Sequence, residues 1–318
     1  MKVALTGSNG FLGSHIVSAF LADGHEVIAL VRPSADTSTL SAHEKLTIEE
    51  VDYRNNLGQQ FANFKERVGE LDLFIHNAGV TVSLNPKEYF EINTDLTREI
   101  VKAVEACHWV SNSGKLVHVS SLTAQGPIGI NKPVSKYGES KLRGESFFKE
   151  SKYEHLIVRP TAIYGAGDYA FLPLIKGANG KVYPLTNSQQ KMSMIHGKDL
   201  ANMILKESKS STGTLHAADG KTYLHSDFVA ALSKVLDKKI YTIPVPAVLS
   251  KLILGLSDVW HRLISKRPSI TKEKFLEISM DWNQHEYGEI PYSKVPCKIS
   301  LEEGFKDAYD FYRAKKLI

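Results

Sequence analysis

Tyr137 and Lys141 stand four residues apart in Tyr137-Gly138-Glu139-Ser140-Lys141, a spacing that sets a phenol and an ammonium on one face of a helix. A phenol ionises only near pH ~10 in water, and a cation beside it favours phenolate, so the pair is suited to moving a proton. Just upstream, Ser120-Ser121 follows the strand-like run Lys115-Leu116-Val117-His118-Val119 and adds a hydroxyl at a strand end. Tyr and Lys at this spacing also decorate ordinary solvated faces. This pair is set apart by Thr6-Gly7-Ser8-Asn9-Gly10-Phe11-Leu12-Gly13, which follows the apolar Val3-Ala4-Leu5 and opens an amphipathic stretch. Gly7 permits a tight turn, Gly10 removes the side chain that would hold a phosphate off the backbone, and Gly13 lets a helix pack closely on the sheet. The helix start, Phe11-Leu12-Gly13, supplies free N–H groups and a partial positive charge. Glycine triplets also make plain turns. This one lies between strand and helix, which favours a pyrophosphate cradle.

These groups need a scaffold that carries them to one edge. Val27–Val31, Leu71–His76, Lys115–Val119 and His155–Val158 read as strands, alternating with helices at about 11–22, 88–108 and 136–152. Strands separated by helices imply right-handed crossovers and an α/β fold, a doubly wound parallel sheet of Rossmann type. In such sheets the ligand lies beyond the carboxyl ends of the strands, so the residues that matter follow the strands directly. After Gly167 the pattern loosens. A returning strand is expected near 213–217, helices dominate from about 222, and Ser300 with Glu303 forms a capping box. The organisation expected is a dinucleotide-binding domain over 1–167 plus the returning strand. A smaller, mostly helical substrate lobe is drawn from 168–212 and 218–318.

With the glycine loop, Ser121, Tyr137 and Lys141 in hand, the chain resembles the extended short-chain dehydrogenase/reductase superfamily, the NAD-dependent epimerase/dehydratase group. Arg159-Pro160-Thr161-Ala162-Ile163-Tyr164-Gly165, Ser193-Met194-Ile195-His196-Gly197-Lys198-Asp199-Leu200-Ala201 and Ser300-Leu301-Glu302-Glu303-Gly304 carry the likeness along nearly the whole length. Within the branch it looks most like the 3β-hydroxysteroid dehydrogenase and dihydroflavonol reductase group. The resemblance implies an enzyme that interconverts a ketone or aldehyde and an alcohol by hydride transfer, with Tyr137 as acid/base. Lys141 is expected to lower the phenol's pKa and to bind the nicotinamide ribose. Ser121 is expected to hydrogen-bond the substrate oxygen. Thr123 is the rival hydroxyl, and Ser120 is expected to point away. The resemblance also suggests a homodimer built on the helices around Tyr137.

Cofactor choice is read at the end of the second strand. Nineteen residues past Gly13, where an NAD site offers a carboxylate to the ribose 2′-OH, this chain has Arg32. A guanidinium there favours a 2′-phosphate, so NADP is expected over NAD, a solvent-facing arginine being the alternative. Asp52 is placed at the adenine, Asn77-Ala78-Gly79 along the cofactor groove, and Pro160 to Ile163 against the nicotinamide. Asn93 either supports the site or caps a local turn. His196 reads as structural, because no acidic partner is tied to it in sequence.

Leu122-Thr123 follow Ser121 where dehydratases of this kind have an Asp-Glu pair, which disfavours dehydration. Two rivals remain: a nucleotide-sugar epimerase with retained NAD, and a non-catalytic NADP-sensing protein. The 39 basic and 35 acidic residues are spread without clusters, which excludes a nucleic-acid surface. Cys107 and Cys297 make neither a disulfide framework nor a metal-ligand spacing, so no metal site is expected. The first strand begins at about Lys2 with no leader before it, and a cytoplasmic location is expected. Val245 to Ile264 is interrupted by Lys251, Asp258, His261 and Arg262, too polar for a membrane span. Its apolar positions have helical spacing, fitting a helix packed on its own domain more than one lying on a membrane.

Overall fold

The computed structural model describes the chain except residues 247, 251, 253–254, 256–270 and 289. Most of the helix expected over 245–264 therefore lies outside the described residues. Seven parallel strands form the central sheet: β1 (Lys2–Thr6), β2 (Glu26–Val31), β3 (Leu46–Glu50), β4 (Leu71–His76), β5 (Val110–Val119), β6 (Glu154–Pro160) and β10 (Gly213–Ala217). Their spatial order is β10-β6-β5-β4-β1-β2-β3. Chain order reverses at β1, with β2 on one side and β4 on the other, and that reversal opens the crevice in which ligands bind such sheets.

The strands are apolar on both faces because helices cover both. On one face α1 (Phe11–Ala22) and α7 (Gly197–Ser210) bury Ile16, Phe20, Leu200 and Ile204 against the sheet. On the other, α2 (Leu57–Val68), α4 (Thr97–Ala106) and α5 (Lys136–Lys149) bury Phe61, Val104 and Phe148 around Trp109. Two local departures from the expected pattern flank the site. The helix expected at 88–108 is three consecutive pieces, α3 (Pro86–Phe90), a π-helical stretch Glu91–Leu96, and α4. Strand β5 starts five residues earlier than read, at Val110, with a register shift between Leu71 and Leu73 of its partner that absorbs Ser111-Asn112-Ser113-Gly114.

Gly213–Ala217 does return to the sheet, pairing with β6 from Gly213↔Leu156 to Ala217↔Pro160. Two small parallel pairs went unread: β7 (Ala162–Tyr164) with β9 (Met194–His196), and β8 (Val182–Leu185) with β11 (Tyr241–Pro244). Helices α6 (Leu172–Asn179), α8 (His225–Leu236), α9 (Lys272–Ile278) and α10 (Leu301–Ala314) complete the chain. A separate apolar core, with Ile175, Tyr183, Phe228, Leu232, Phe305 and Tyr312, joins α6, α8 and α10. Ser300 and Glu303 cap α10 reciprocally, as their spacing requires.

Candidate active site

The glycine loop closes on itself through backbone contacts that admit no side chain. Gly7 adopts φ +66°, and a Cβ there would lie 2.9 Å from Ala78 of the next loop in space. A Cβ on Gly13 would come within 1.9 Å of the Gly7 carbonyl oxygen. Gly10 is the exposed member and precedes α1 with no side chain capping it. The N–H groups of Phe11, Leu12 and Gly13 have no acceptor among the described residues, the condition under which a helix start suits an anion. Loop Asn77–Gly79 is bound to this turn, with Asn77 Nδ2 donating to Gly7 O (3.2 Å) and the N–H groups of Asn77 and Ala78 donating to Thr6 Oγ1 (each 3.2 Å). This backbone-lined shape fits a dinucleotide pyrophosphate. Leu12 is buried in the core, whereas the Phe11 ring packs against Gly167 and Gly197 at the lobe.

Helix α5 presents Tyr137, Lys141, Glu145 and Phe148 as one buried stripe against the end of β5. Ser135 starts the helix by accepting the Gly138 N–H. Lys141 Nζ donates to Val119 O at 2.7 Å, and would stand 3.5 Å from a Cβ on Gly79, so it bridges β5 and the groove loop. Burial pulls its pKa down to about 8, with Glu145 one turn on acting in the opposite sense. Ser121 begins a short 3-10 turn and accepts from Thr123, through N–H at 3.2 Å and hydroxyl at 2.9 Å. The rival hydroxyl is thus a partner of Ser121. Ser120 points into the interior, donating to Glu145 Oε1 at 2.7 Å.

Tyr137 is buried beside Tyr89, ring centroids 6.0 Å apart. Burial raises the phenol pKa, Lys274 draws it back, Glu277 opposes that, and a hydrogen bond from Ser121 favours ionisation. The expectation placed Lys141 in the lowering role. In the structure the cation over the ring is Lys274 of α9, with Nζ 5.0 Å from the centroid, while the Lys141 ammonium is engaged by Val119.

The other positions read from sequence fall around the same edge. Arg32 lies exposed just past β2; its carbonyl accepts the Ala35 N–H at 3.1 Å, and its guanidinium makes no hydrogen bond or ion pair among the described residues. Asp52 holds its own turn, accepting the Arg54 N–H (3.0 Å) and the Asn55 amide. Pro160 is buried at the end of β6, and Ile163 packs on the core beside Ile195. Asn93, in the π-helical stretch, supports the site: Oδ1 accepts Val80 N–H (2.9 Å), and Nδ2 donates to Val80 O (2.9 Å) and Ser140 Oγ (3.0 Å). π-turns concentrate at such places. His196 proves to have an acidic partner after all, Asp307 of α10 at 3.2 Å, which pins α10 beneath β9.

The sequence model of the NAD dependent epimerase/dehydratase family matches residues 3–213. The chain belongs to this family. Its members are the NAD(P)-dependent dehydrogenases, reductases and epimerases of the extended short-chain type, and the chain is an enzyme of that class. The ceramide reductase of Caulobacter vibrioides is 29% identical over 320 residues, covering 98% of this chain and 94% of that protein. The UDP-glucose 4-epimerase of Vibrio cholerae is 25% identical over 292 residues, covering 82% and 85%. Among solved structures, the Bacillus cereus UDP-glucuronic acid 4-epimerase in complex with NAD superposes with a TM-score of 0.72 at 17% identity, covering 99% of both chains. It shares the fold.

Within this family member, two residues near Tyr137 and Lys141 escaped the sequence reading. Glu145 had a signal: it continues the four-residue spacing from Tyr137 through Lys141, and it is fully buried with Arg159, whose Nε and Nη2 each donate to it at 2.7 Å. Lys274 had none, because only the packing of α9 on α5 brings it there. No helix among the described residues is long and apolar enough to cross a membrane.

Proposed function

We propose that the protein is an NADP-dependent reductase that interconverts a carbonyl and an alcohol, with Tyr137 as acid/base. The observation that carries this reading is the arrival of Ser121, Tyr137 and Lys141 at the carboxyl edge of the sheet, alongside the Gly7–Ala78 cradle. When bound there, the nicotinamide supplies or accepts the hydride. Phe11, Leu12 and Gly13 hold the pyrophosphate through backbone N–H groups, and Arg32 takes the 2′-phosphate. Lys141 reaches the ribose from between Val119 and Gly79. Ser121, oriented by Thr123, donates to the substrate oxygen and fixes it beside the Tyr137 hydroxyl. Tyr137 then gives that oxygen its proton in reduction and recovers it in oxidation. Asp52 and Pro160 to Ile163 frame the adenine and nicotinamide ends.

Two relatives set the range of substrates to try, one named for ceramide reduction and one for a UDP-sugar. The test is NADPH consumption by purified protein against simple ketones, ceramide-class lipids and UDP-sugars, for the native chain and for Tyr137→Phe. We expect NADPH-dependent reduction that falls by about 10²–10⁴-fold in the variant, the range of a lost general acid. Tightly held NAD with interconverted UDP-sugars and no NADPH consumption would make it an epimerase. Full activity in the variant would remove Tyr137 from the chemistry.

A further inference from the structure

Helix α9 is tied to the first turn of α5, the turn that carries Tyr137. The Ser135 hydroxyl, at the N-cap of α5, donates to Glu277, and the Lys136 N–H donates to Glu273. Between those two carboxylates Lys274 makes a 2.7 Å ion pair with Glu277 and lies over the Tyr137 ring. Glu277 is only 2% exposed and Lys274 24%, so both charges are held in a largely dry place.

We propose that Lys274 is a positioning residue for the reaction: held by Glu277, it fixes a positive charge on the face of the Tyr137 ring, so that the substrate lobe completes the proton-transfer site. The inference rests on Tyr137 being the acid/base group. A cation on an aromatic face is attracted by the ring quadrupole, and the attraction grows when the hydroxyl becomes an oxyanion. Burial by itself would lower the pKa of Lys274, yet Glu277 and the phenol together raise it, which favours the ammonium form beside the ring. The groups that face this pair are Glu277 and Glu273 on α9, Tyr89 on α3, Asp168 after β7 and Ser121 after β5, with Lys136 on α5 facing Glu273.

Because Lys274 and Glu277 act on the phenol with opposite sign, their variants separate charge from architecture. In alcohol oxidation kcat/KM rises with pH as Tyr137 ionises. We expect Lys274→Gln to move that limb to higher pH and Glu277→Gln, which keeps a hydrogen-bonding group for Ser135, to move it to lower pH. A displacement of one pH unit lowers kcat/KM on the limb about tenfold for the first variant and raises it about tenfold for the second. Lys274→Arg should restore the native limb, and the double variant Lys274→Gln with Glu277→Gln should return close to it. KM for NADP should not change.

Tyrosinate absorbance, taken as the difference between each protein and its Tyr137→Phe counterpart, reads the same coupling without turnover. Opposite displacements in that titration sustain the inference. Displacements of one sign, or none, overturn it even if Tyr137→Phe is inactive. Turnover retained in Tyr137→Phe overturns the functional reading instead, and the absorbance titration still decides the coupling.

Discussion

The two regions proposed to hold the nucleotide and to transfer the proton are built by different means. The proposed pyrophosphate seat comes from two short stretches of chain, 6–13 and 76–80, and its working parts are mainly backbone: a turn at φ +66°, N–H groups without an acceptor among the described residues, and spaces where no Cβ fits. The proposed proton-transfer end is assembled from side chains on α3, α5 and α9, held by contacts such as Ser135 with Glu277 across 142 positions. A backbone-shaped site tolerates almost no change at a few positions. A side-chain site can be tuned one charge at a time. On the proposed function, the glycine loop is a rigid seat for the cofactor, and the side chains that α9 brings to Tyr137 form an acid/base environment that single charges can adjust.

The comparison breaks first at Gly13. Any side chain there meets the Gly7 carbonyl at a distance no relaxation of a flexible group can relieve, because both partners are backbone. Gly13→Val should therefore cost beyond about 5 kcal/mol, the exceptional end of single substitutions, or fold without measurable nucleotide binding. Urea denaturation with a nucleotide fluorescence titration measures both. A variant that folds and binds normally would mean the seat is not set by backbone.

Between the two ends stands Glu145, with the Arg159 guanidinium and the Ser120 hydroxyl on its two oxygens. Removing it leaves Arg159 buried with Gln125 as its remaining partner at 2.5 Å. Glu145→Ala should lose roughly 3–5 kcal/mol by chemical denaturation, as for other broken buried pairs. Replacing both Glu145 and Arg159 by Met should cost much less. If the single and double variants were equally stable, the pair would not be what fastens α5 to β6.

That asymmetry also explains what could be read from the chain alone. The glycine loop, the alternating strands and helices, Tyr137-x-x-x-Lys141 and the capping box of α10 are local patterns whose periods show in sequence. Glu145 was readable by the same helical spacing. Lys274 and Asp307 were not, since each acts on a residue more than a hundred positions away, and only tertiary packing selects them from the other charged side chains. The assignment of Lys141 to the phenol followed from their shared helix face. The face is shared, but the lysine is long enough to reach Val119 instead. The π-turn at Glu91–Leu96 was hidden because it keeps a helical apolar pattern while shifting its hydrogen bonds by one residue.

The smallest expected effect sharpens the nucleotide end. The Arg32 guanidinium is exposed and makes no ion pair among the described residues, so Arg32→Ala should leave stability within about 0.5 kcal/mol. If its guanidinium meets the 2′-phosphate, the variant loses NADPH affinity by about tenfold, or ~1.4 kcal/mol, with NADH affinity unchanged. The loss should shrink at high salt, because an exposed ion pair is screened. Glu50 closes β3 opposite Val31, and its carboxylate accepts the Ser34 N–H at 3.4 Å, beside the turn where the proposal puts the 2′-phosphate. Glu50→Gln should therefore raise NADPH affinity a few-fold, opposite in sign to Arg32→Ala. Isothermal titration with both nucleotides decides it: equal losses for NADPH and NADH would make Arg32 a general phosphate contact, and no loss would leave it facing solvent.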